Sequence, residues 1–183
     1  MNGRTHVAIR PYSDGDLPLL ERTLGDPIMM THLGGPESAE KLRERHRKYI
    51  AMSIHSTAGC MFVITVGAES SSAGTIGYWE KDWDGQRAWE TGWSVLPEFQ
   101  GRGIATAATR LIIGLVARLR SHRYLYAFPS VSNHASNTIC SKVGFTLLRE
   151  SDFEYPRGSL MRCNIWQLDL HASPNGESTG GQP

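Results

Sequence analysis

The hydrophobic and polar positions of this chain predict a sheet that begins with one strand and continues as a meander. His6-Val7-Ala8-Ile9-Arg10 alternates in the manner of a strand, and segments 60–68, 73–81 and 88–95 are short, rich in apolar and β-branched residues, and separated by polar turns. The last two are joined by Asp82-Trp83-Asp84-Gly85, in which Asp-Gly is a strong hairpin signal. The three segments are therefore expected to pair as antiparallel strands.

Four other segments predict helices. Residues 13–24 open with a sequence that resembles a capping box, and residues 38–52 open with a serine that can cap the helix. Residues 104–120 repeat apolar side chains with the helical period, so one face is expected to pack on the sheet. Residues 133–144 begin with asparagine and end with glycine, which favour the two termini of a helix.

The last strands complete a mixed α/β (α+β) architecture. They are predicted at residues 123–128, 145–149 and 161–168. Because a helix separates residues 88–95 from 123–128, these two strands are expected to be parallel. The predicted order is β-α-α-β-β-β-α-β-α-β-β within one domain, residues 1–171. Residues 172–183 are rich in Gly, Ser and Pro and predict a disordered tail.

Composition indicates an ordinary globular protein without a dominant charge. The 183 residues are 40% hydrophobic and 20% charged, and the net charge is +1. Such a balance gives no basic field for nucleic acid or for an anionic membrane, so neither is an expected partner. The longest apolar run is too short to span a bilayer, and no secretion signal is evident. A cytoplasmic location is expected.

The cysteines and histidines indicate neither a disulfide framework nor a metal site. Cys60, Cys140 and Cys163 are widely spaced and lack a C-x-x-C pair, which favours a reducing compartment. The histidines show no ligand spacing, so no metal is expected.

A glycine-rich turn at residues 100–106, called the glycine turn below, carries the main functional signal. It follows the predicted strand 88–95 and leads directly into the helix 104–120. This layout presents free backbone N–H groups and the positive end of a helix to a phosphate, and Gly101 and Gly103 let the main chain approach the anion closely. The spacing of the glycines matches neither the Rossmann fingerprint nor a Walker loop. The motif that the segment does contain is Q-x-x-G-x-A.

Together with two other motifs, this pattern resembles the GNAT superfamily of acetyl-coenzyme A-dependent N-acetyltransferases. Residues 133–145 resemble the later N-x-x-S…K-x-G-F element of that family, and Glu90-Thr91-Gly92-Trp93 looks like the E-x-G-aromatic strand of its RimJ/RimL-like branch. The resemblance covers roughly residues 5–170. It implies the GNAT fold, a mostly antiparallel twisted sheet of about seven strands with a splayed parallel pair, flanked by about four helices.

The resemblance also implies acetyl-CoA as cosubstrate and a set of binding residues. Main-chain groups of the strand would pair with pantetheine, and the glycine turn would hold the pyrophosphate. Arg102 would add positive charge, and the alternative is a solvated side chain. The expected acetyl-CoA-binding residues are Trp93, Ser94, Val95, Gln100, Gly101, Arg102, Gly103, Ile104, Ala105, Thr106, Asn133 and Ser136.

Glu90 and Ser136 are the expected catalytic residues. Acetyl transfer requires an amine that has lost its proton, and Glu90 is the carboxylate on the strand that would border the cofactor. Neighbouring tryptophans would raise its pKa, while the alternative is an exposed strand glutamate. Ser136 would bind the cofactor or relay a proton, or else only bond to the helix backbone. At the position of Cys140, many family members have a tyrosine that acts as the general acid. Cys140 is expected to be either a proton donor or a small buried residue.

The acceptor is expected to be a primary amine, either a protein N-terminal α-amine or a small molecule. Loops at about residues 25–37 and 150–160 would select it. The competing hypothesis is a non-catalytic acyl-CoA-binding sensor or scaffold, which needs the glycine turn but no base. A homodimer is possible, with residues 161–168 as an interface strand.

Overall fold

The computed structural model describes residues 6–55, 57–154 and 160–172. Within these ranges, seven strands and four helices occur in the predicted order. They are β1 (Val7–Pro11), α1 (Leu17–Leu24), α2 (Ala39–His55), β2 (Gly59–Val66), β3 (Ser71–Trp83), β4 (Gln86–Val95), α3 (Ile104–Leu119), β5 (Tyr124–Ala127), α4 (His134–Lys142), β6 (Thr146–Glu154) and β7 (Leu160–Asp169).

All described strands belong to one mixed sheet. Its spatial order is β1-β2-β3-β4-β5-β7-β6, and every neighbouring pair is antiparallel except β4 and β5, which are parallel. The predicted parallel pair in a mostly antiparallel sheet is therefore confirmed. The crossover through α3 explains this pairing, because a parallel neighbour cannot be reached by a hairpin.

The Asp84-Gly85 hairpin makes β3 and β4 longer than predicted. Both turn residues have positive φ, 48° and 76°, which fits a two-residue turn whose twist matches that of the flanking strands. The register consequently continues up to Trp83 opposite Gln86. Strand β3 therefore continues to Trp83 and β4 begins at Gln86, although most residues near the turn are polar.

Helices cover both faces of the sheet. On one face, buried apolar residues of α3 pack with strand side chains that include Trp89 and Val95. On the other face, α1 and α2 contribute Leu19, Leu20 and Leu42 to a second cluster with Met61 of β2. Each fully buried aliphatic side chain contributes roughly 1.5–3 kcal/mol to folding, so the two layers hold the sheet from both sides.

Strand β6 differs most from its prediction. It was expected at 145–149 but runs from Thr146 to Glu154 and pairs with β7 along that length. Its side chains are mostly exposed and polar, so no apolar alternation marks it, and Arg162 of β7 forms cross-strand ion pairs with Glu150 and Asp152. Residues 150–154 of the expected acceptor loop are therefore strand.

Two further expectations concern the ends of the chain and the membrane. The predicted tail at 172–183 lies, apart from residue 172, outside the described residues. Among the residues that are described, no helix combines the length and the apolar content needed to cross a membrane.

Candidate active site

Strands β4 and β5 separate after a short pairing, and a cavity opens between them. Only Trp89 opposite Leu125 and Glu90 opposite Tyr126 are in register. Beyond these pairs lies a cavity of about 720 Å³. Its wall includes residues of α2, β3, β4, the end of β5, the start of α4 and the β6–β7 hairpin. A volume of this size is typical of a small-molecule site.

The main chain of β4 offers hydrogen-bonding groups to this gap at alternate residues. Leu96 N donates to Ala73 O of β3 at 2.8 Å, so the antiparallel alternation directs the main chain of Ser94 to β3 and that of Trp93 and Val95 to the gap. The carbonyl of Val95 already accepts a hydrogen bond. Of the three residues expected to pair with pantetheine, Trp93 therefore has the most open main chain.

The glycine turn forms as the sequence predicts. Gly101 and Gly103 have φ of 73° and 74°, and a Cβ added at either position would meet nothing within 4 Å. The first bond of α3 runs from Ala107 N to Gly103 O, so the amides of Ile104, Ala105 and Thr106 have no acceptor within the helix. An open turn with free amides at a positive helix end fits a phosphate group.

The side chains around the glycine turn hold it to the sheet. Ile104 is buried in the core, while Arg102 is exposed with its guanidinium 5.9 Å from the ring centroid of Phe99. Gln100 donates from Nε2 to the carbonyl of Val95 at 2.8 Å. Gln100 therefore ties the turn to the end of β4, which is a structural contact that the motif alone did not reveal.

Glu90 lies where β4 and β5 begin to separate, and its carboxylate lines the cavity. Its side chain is 19% exposed, which excludes the exposed strand glutamate considered as the alternative. Burial raises the pKa of Glu90, and Lys81, with Nζ at 3.6 Å, and a hydrogen bond from Trp79 offset only part of that rise. The pKa is raised in the expected direction, but the cause is burial, and the hydrogen bond from Trp79 acts in the opposite sense. A carboxylate with a raised pKa suits a base near neutral pH.

The tryptophans near Glu90 divide between the two faces of the sheet. Trp89 packs in the α3 core, whereas Trp79 lines the cavity beside Glu90. A Cβ added to Gly92 would lie 3.0 Å from the Trp79 ring. The space beside Gly92 is thus partly filled by this indole.

The start of α4 forms a second wall of the cavity. Asn133 Oδ1 accepts a hydrogen bond from Ser136 N at 3.0 Å, which confirms the predicted helix cap. Both side chains line the cavity. The structure therefore brings Ser136 and Glu90 into the lining of one cavity, while the roles of both remain predictions.

Asn137 is a structural residue that sequence reasoning missed. Its Nδ2 donates to the carbonyls of Ser130 and Asn133 at 2.9 and 2.8 Å, and its Oδ1 accepts from Asn164 Nδ2 and Trp166 Nε1 at 2.7 and 2.8 Å. All four hydrogen bonds of the amide are satisfied, which fixes the cavity wall to β7. The presence of Asn137 in the segment 133–145 was the available signal, but its partners on β7 lie 27 and 29 residues away.

Cys140 and Cys163 are both buried, but only Cys163 lines the cavity. Cys140 is fully buried in the core, and burial raises the pKa of its thiol to about 12, so it is a small core residue and not a proton donor to the cavity. Cys163 of β7 lines the cavity, which was not predicted. Burial, with Asp152 and Glu90 nearby, raises its pKa to about 11, so the thiol is protonated and a poor nucleophile near neutral pH.

Helix α2 contributes basic residues to the cavity. Arg45 and Lys48 line the wall. The guanidinium of Arg45 is ion-paired with the carboxylate of Glu37, and it stands over the ring of Tyr49. In the described ranges, no group of three His, Cys, Asp or Glu side chains could hold a metal ion.

Comparison with known proteins assigns the family. Residues 6–146 match the family model described as an acetyltransferase (GNAT) domain. The chain belongs to the GNAT acetyltransferase family. It is therefore an N-acetyltransferase, as the three motifs predicted. No curated protein matches its sequence significantly.

Solved structures of other GNAT proteins share the fold. The Vibrio cholerae spermidine N-acetyltransferase, in complex with CoA and spermine, has a TM-score of 0.73 and 19% identity, over 90% of this chain and 95% of its own. A Salmonella typhimurium acetyltransferase, which modifies the N-terminal serine of ribosomal protein L7/L12, has a TM-score of 0.74 and 21% identity, over 89% and 94%. At these identities the likeness concerns the fold, which the sequence predicted.

Proposed function

We propose that this acetyltransferase transfers the acetyl group of acetyl-CoA directly to a primary amine, with Glu90 as the base. The observation that carries the proposal is the position of Glu90. It is the only carboxylate in β4, it lies where the parallel strands part, and burial raises its pKa. A nearby base with a raised pKa can accept the proton that an ammonium must lose before it attacks.

The binding half of the proposal rests on the glycine turn and the gap. The amides of residues 104–106 would hold the pyrophosphate, and the main chain of Trp93 would pair with pantetheine. When bound, acetyl-CoA supplies the thioester that is attacked. A RimL protein of the same fold has been solved with coenzyme A, at 21% identity. Asn133 and Ser136 would contact the same arm from the other wall.

The proposed acceptor is a protein N-terminal α-amine or a small-molecule amine. Proteins of the same fold act on both kinds of acceptor: one is a spermidine N-acetyltransferase, and another modifies an N-terminal serine. Trp79 would cover the apolar part of the amine beside Glu90. Transfer would occur in a ternary complex, since the cavity cysteine, Cys163, has a raised pKa that disfavours an acyl-enzyme.

The test combines a panel of amines with one substitution. Purified protein is mixed with acetyl-CoA and polyamines, amino acids, aminoglycosides or short peptides, and release of free thiol is followed against a control without acceptor. Glu90→Gln is expected to lower kcat about 10²–10⁴-fold without changing the calorimetric Kd for acetyl-CoA. Glu150→Gln, an exposed carboxylate on β6 outside the cavity, is the matched control.

Each outcome separates the candidate mechanisms. Intersecting initial-rate lines support a ternary complex, whereas parallel lines indicate an acyl-enzyme. Full activity of Glu90→Gln would remove Glu90 from the mechanism. Wild-type protein that binds acetyl-CoA but is silent with every amine would favour the non-catalytic sensor or scaffold.

A further inference from the structure

A chain of three polar side chains runs from the cavity wall to the surface. Ser130, just after β5, lines the cavity and is 8% exposed. Its Oγ lies 3.0 Å from Oγ of Ser132, and Ser132 Oγ lies 3.1 Å from Nδ1 of His32. His32 belongs to the loop between α1 and α2, about 100 residues away, and also lines the cavity. The three form one continuous hydrogen-bonded path.

The contacts of this path allow a proton to move in either direction, because either serine can donate in their mutual hydrogen bond and the tautomer of His32 sets the other. Ser132 N also donates to Ser130 Oγ, at 3.4 Å. When the hydroxyl of Ser132 donates to Ser130 as well, the Ser130 oxygen accepts twice and keeps its own proton to give. In that arrangement no other acceptor for the Ser130 proton is found in the described ranges 6–55, 57–154 and 160–172, so the proton is available to the cavity.

The proposed reaction needs such a proton on this side of the cavity. Glu90 takes a proton from the nitrogen on the β4 side, while the leaving sulfur must gain one. Cys140 cannot give it, because it is buried in the core. Ser136 lines the cavity, but within the described part of the chain its hydroxyl has no hydrogen-bonded side chain that could replace a lost proton. Ser130 has both the position and the supply.

We propose that Ser130 protonates the leaving sulfur and that Ser132 and His32 replace its proton, an inference that rests on the proposed acetyl transfer. As the C–N bond forms and the C–S bond breaks, one proton passes from nitrogen to Glu90. Ser130 gives one proton to sulfur, Ser132 gives one to Ser130, and the Nδ1–H of His32 gives one to Ser132. Solvent protonates Nε2 of His32 as its Nδ1–H leaves, so no imidazolate forms, and the ring later returns to the Nδ1–H tautomer by exchange with solvent. Glu90 releases its proton to solvent, so the protons balance.

The kinetic test compares donors with different leaving groups. Ser130→Ala and Ser132→Ala are expected to lower kcat with acetyl-CoA about tenfold, and the loss should be larger with the oxygen-ester analogue of acetyl-CoA, because an alkoxide needs the proton more. Ser132→Thr retains a hydroxyl and should restore most of the rate. Thr31→Ala is the control, since its hydroxyl bonds only within the same loop. Equal losses with both donors would indicate a loop latch and overturn the relay.

A second readout does not depend on turnover. Nitrogen-15 NMR of the His32 ring is expected to show a protonated Nδ1 in the wild type and a changed Nδ1 signal in Ser132→Ala, while the calorimetric Kd for CoA stays within about twofold. An unprotonated Nδ1 would make His32 the acceptor and overturn the proposed direction. The activity of the wild type is measured before any variant is compared. If the wild type shows no transfer to any amine, the proposed function itself fails.

Discussion

The two ends of the proposed acetyl-CoA site are built in different ways: Glu90 lines the cavity, whereas the glycine turn lies outside its lining. At the glycine-turn end, the groups that would meet the cofactor are main-chain amides from one continuous stretch, residues 93–106. At the Glu90 end, the wall consists of residues from α2, β3, β4, the segment 128–136 and β7. A local turn thus forms the proposed phosphate site, whereas a surface assembled from distant segments can vary without loss of the fold.

The largest effect is expected at the glycine-turn end. Gly103→Glu places a carboxylate where the phosphates would contact the free amides, so the affinity for CoA should fall at least about 100-fold, roughly 3 kcal/mol. Gly103→Ala is the control, because it carries the same strain at φ 74° into open space without added charge. Calorimetry measures both variants. Unchanged affinity in Gly103→Glu would place the phosphates elsewhere.

A smaller effect is expected at the Glu90 end and should spare cofactor binding. Gly92→Ala brings a Cβ to 3.0 Å from the Trp79 ring, which must move and disturb its hydrogen bond to Glu90. Turnover is expected to fall about tenfold, because small displacements near reacting groups are costly. The Kd for CoA should not change. A joint loss of affinity and turnover would show that the two ends are coupled.

The smallest effect concerns stability and follows from the raised pKa of Glu90. A carboxyl whose folded pKa is raised stabilises the protein fully below its unfolded pKa, about 4.3, and that contribution is lost as the pH rises through the folded pKa. Glu90→Gln removes the loss, so its Tm should exceed that of the wild type at pH 7 by a small margin that disappears near pH 4. Thermal unfolding at both pH values measures this. A lower Tm at pH 7 would mean that the Lys81 contact outweighs desolvation.

The sequence predicted the fold well where local patterns agree with the final packing. The meander, the helix caps and the β4–β5 crossover were predicted because their periodicities and turn residues are local. Strand β6 was underestimated, since its exposed polar face has no apolar alternation and its length depends on pairing with β7.

The site was predicted unevenly for the same reason. The glycine turn and Glu90 lie in continuous motifs, so they could be located before the structure was known. Cys163 and the His32–Ser132–Ser130 chain could not, because their partners lie on other segments.

By itself, the sequence determined the family, the order of elements and the position of the glycine turn, because these depend on spacing along the chain. Only the tertiary structure decided that Glu90 is largely buried, that Cys140 belongs to the core and that Trp79 covers Gly92. The physical reason is that burial, desolvation and hydrogen-bond partnership are properties of the assembled neighbourhood. Residues distant in sequence create that neighbourhood, and no local pattern encodes them.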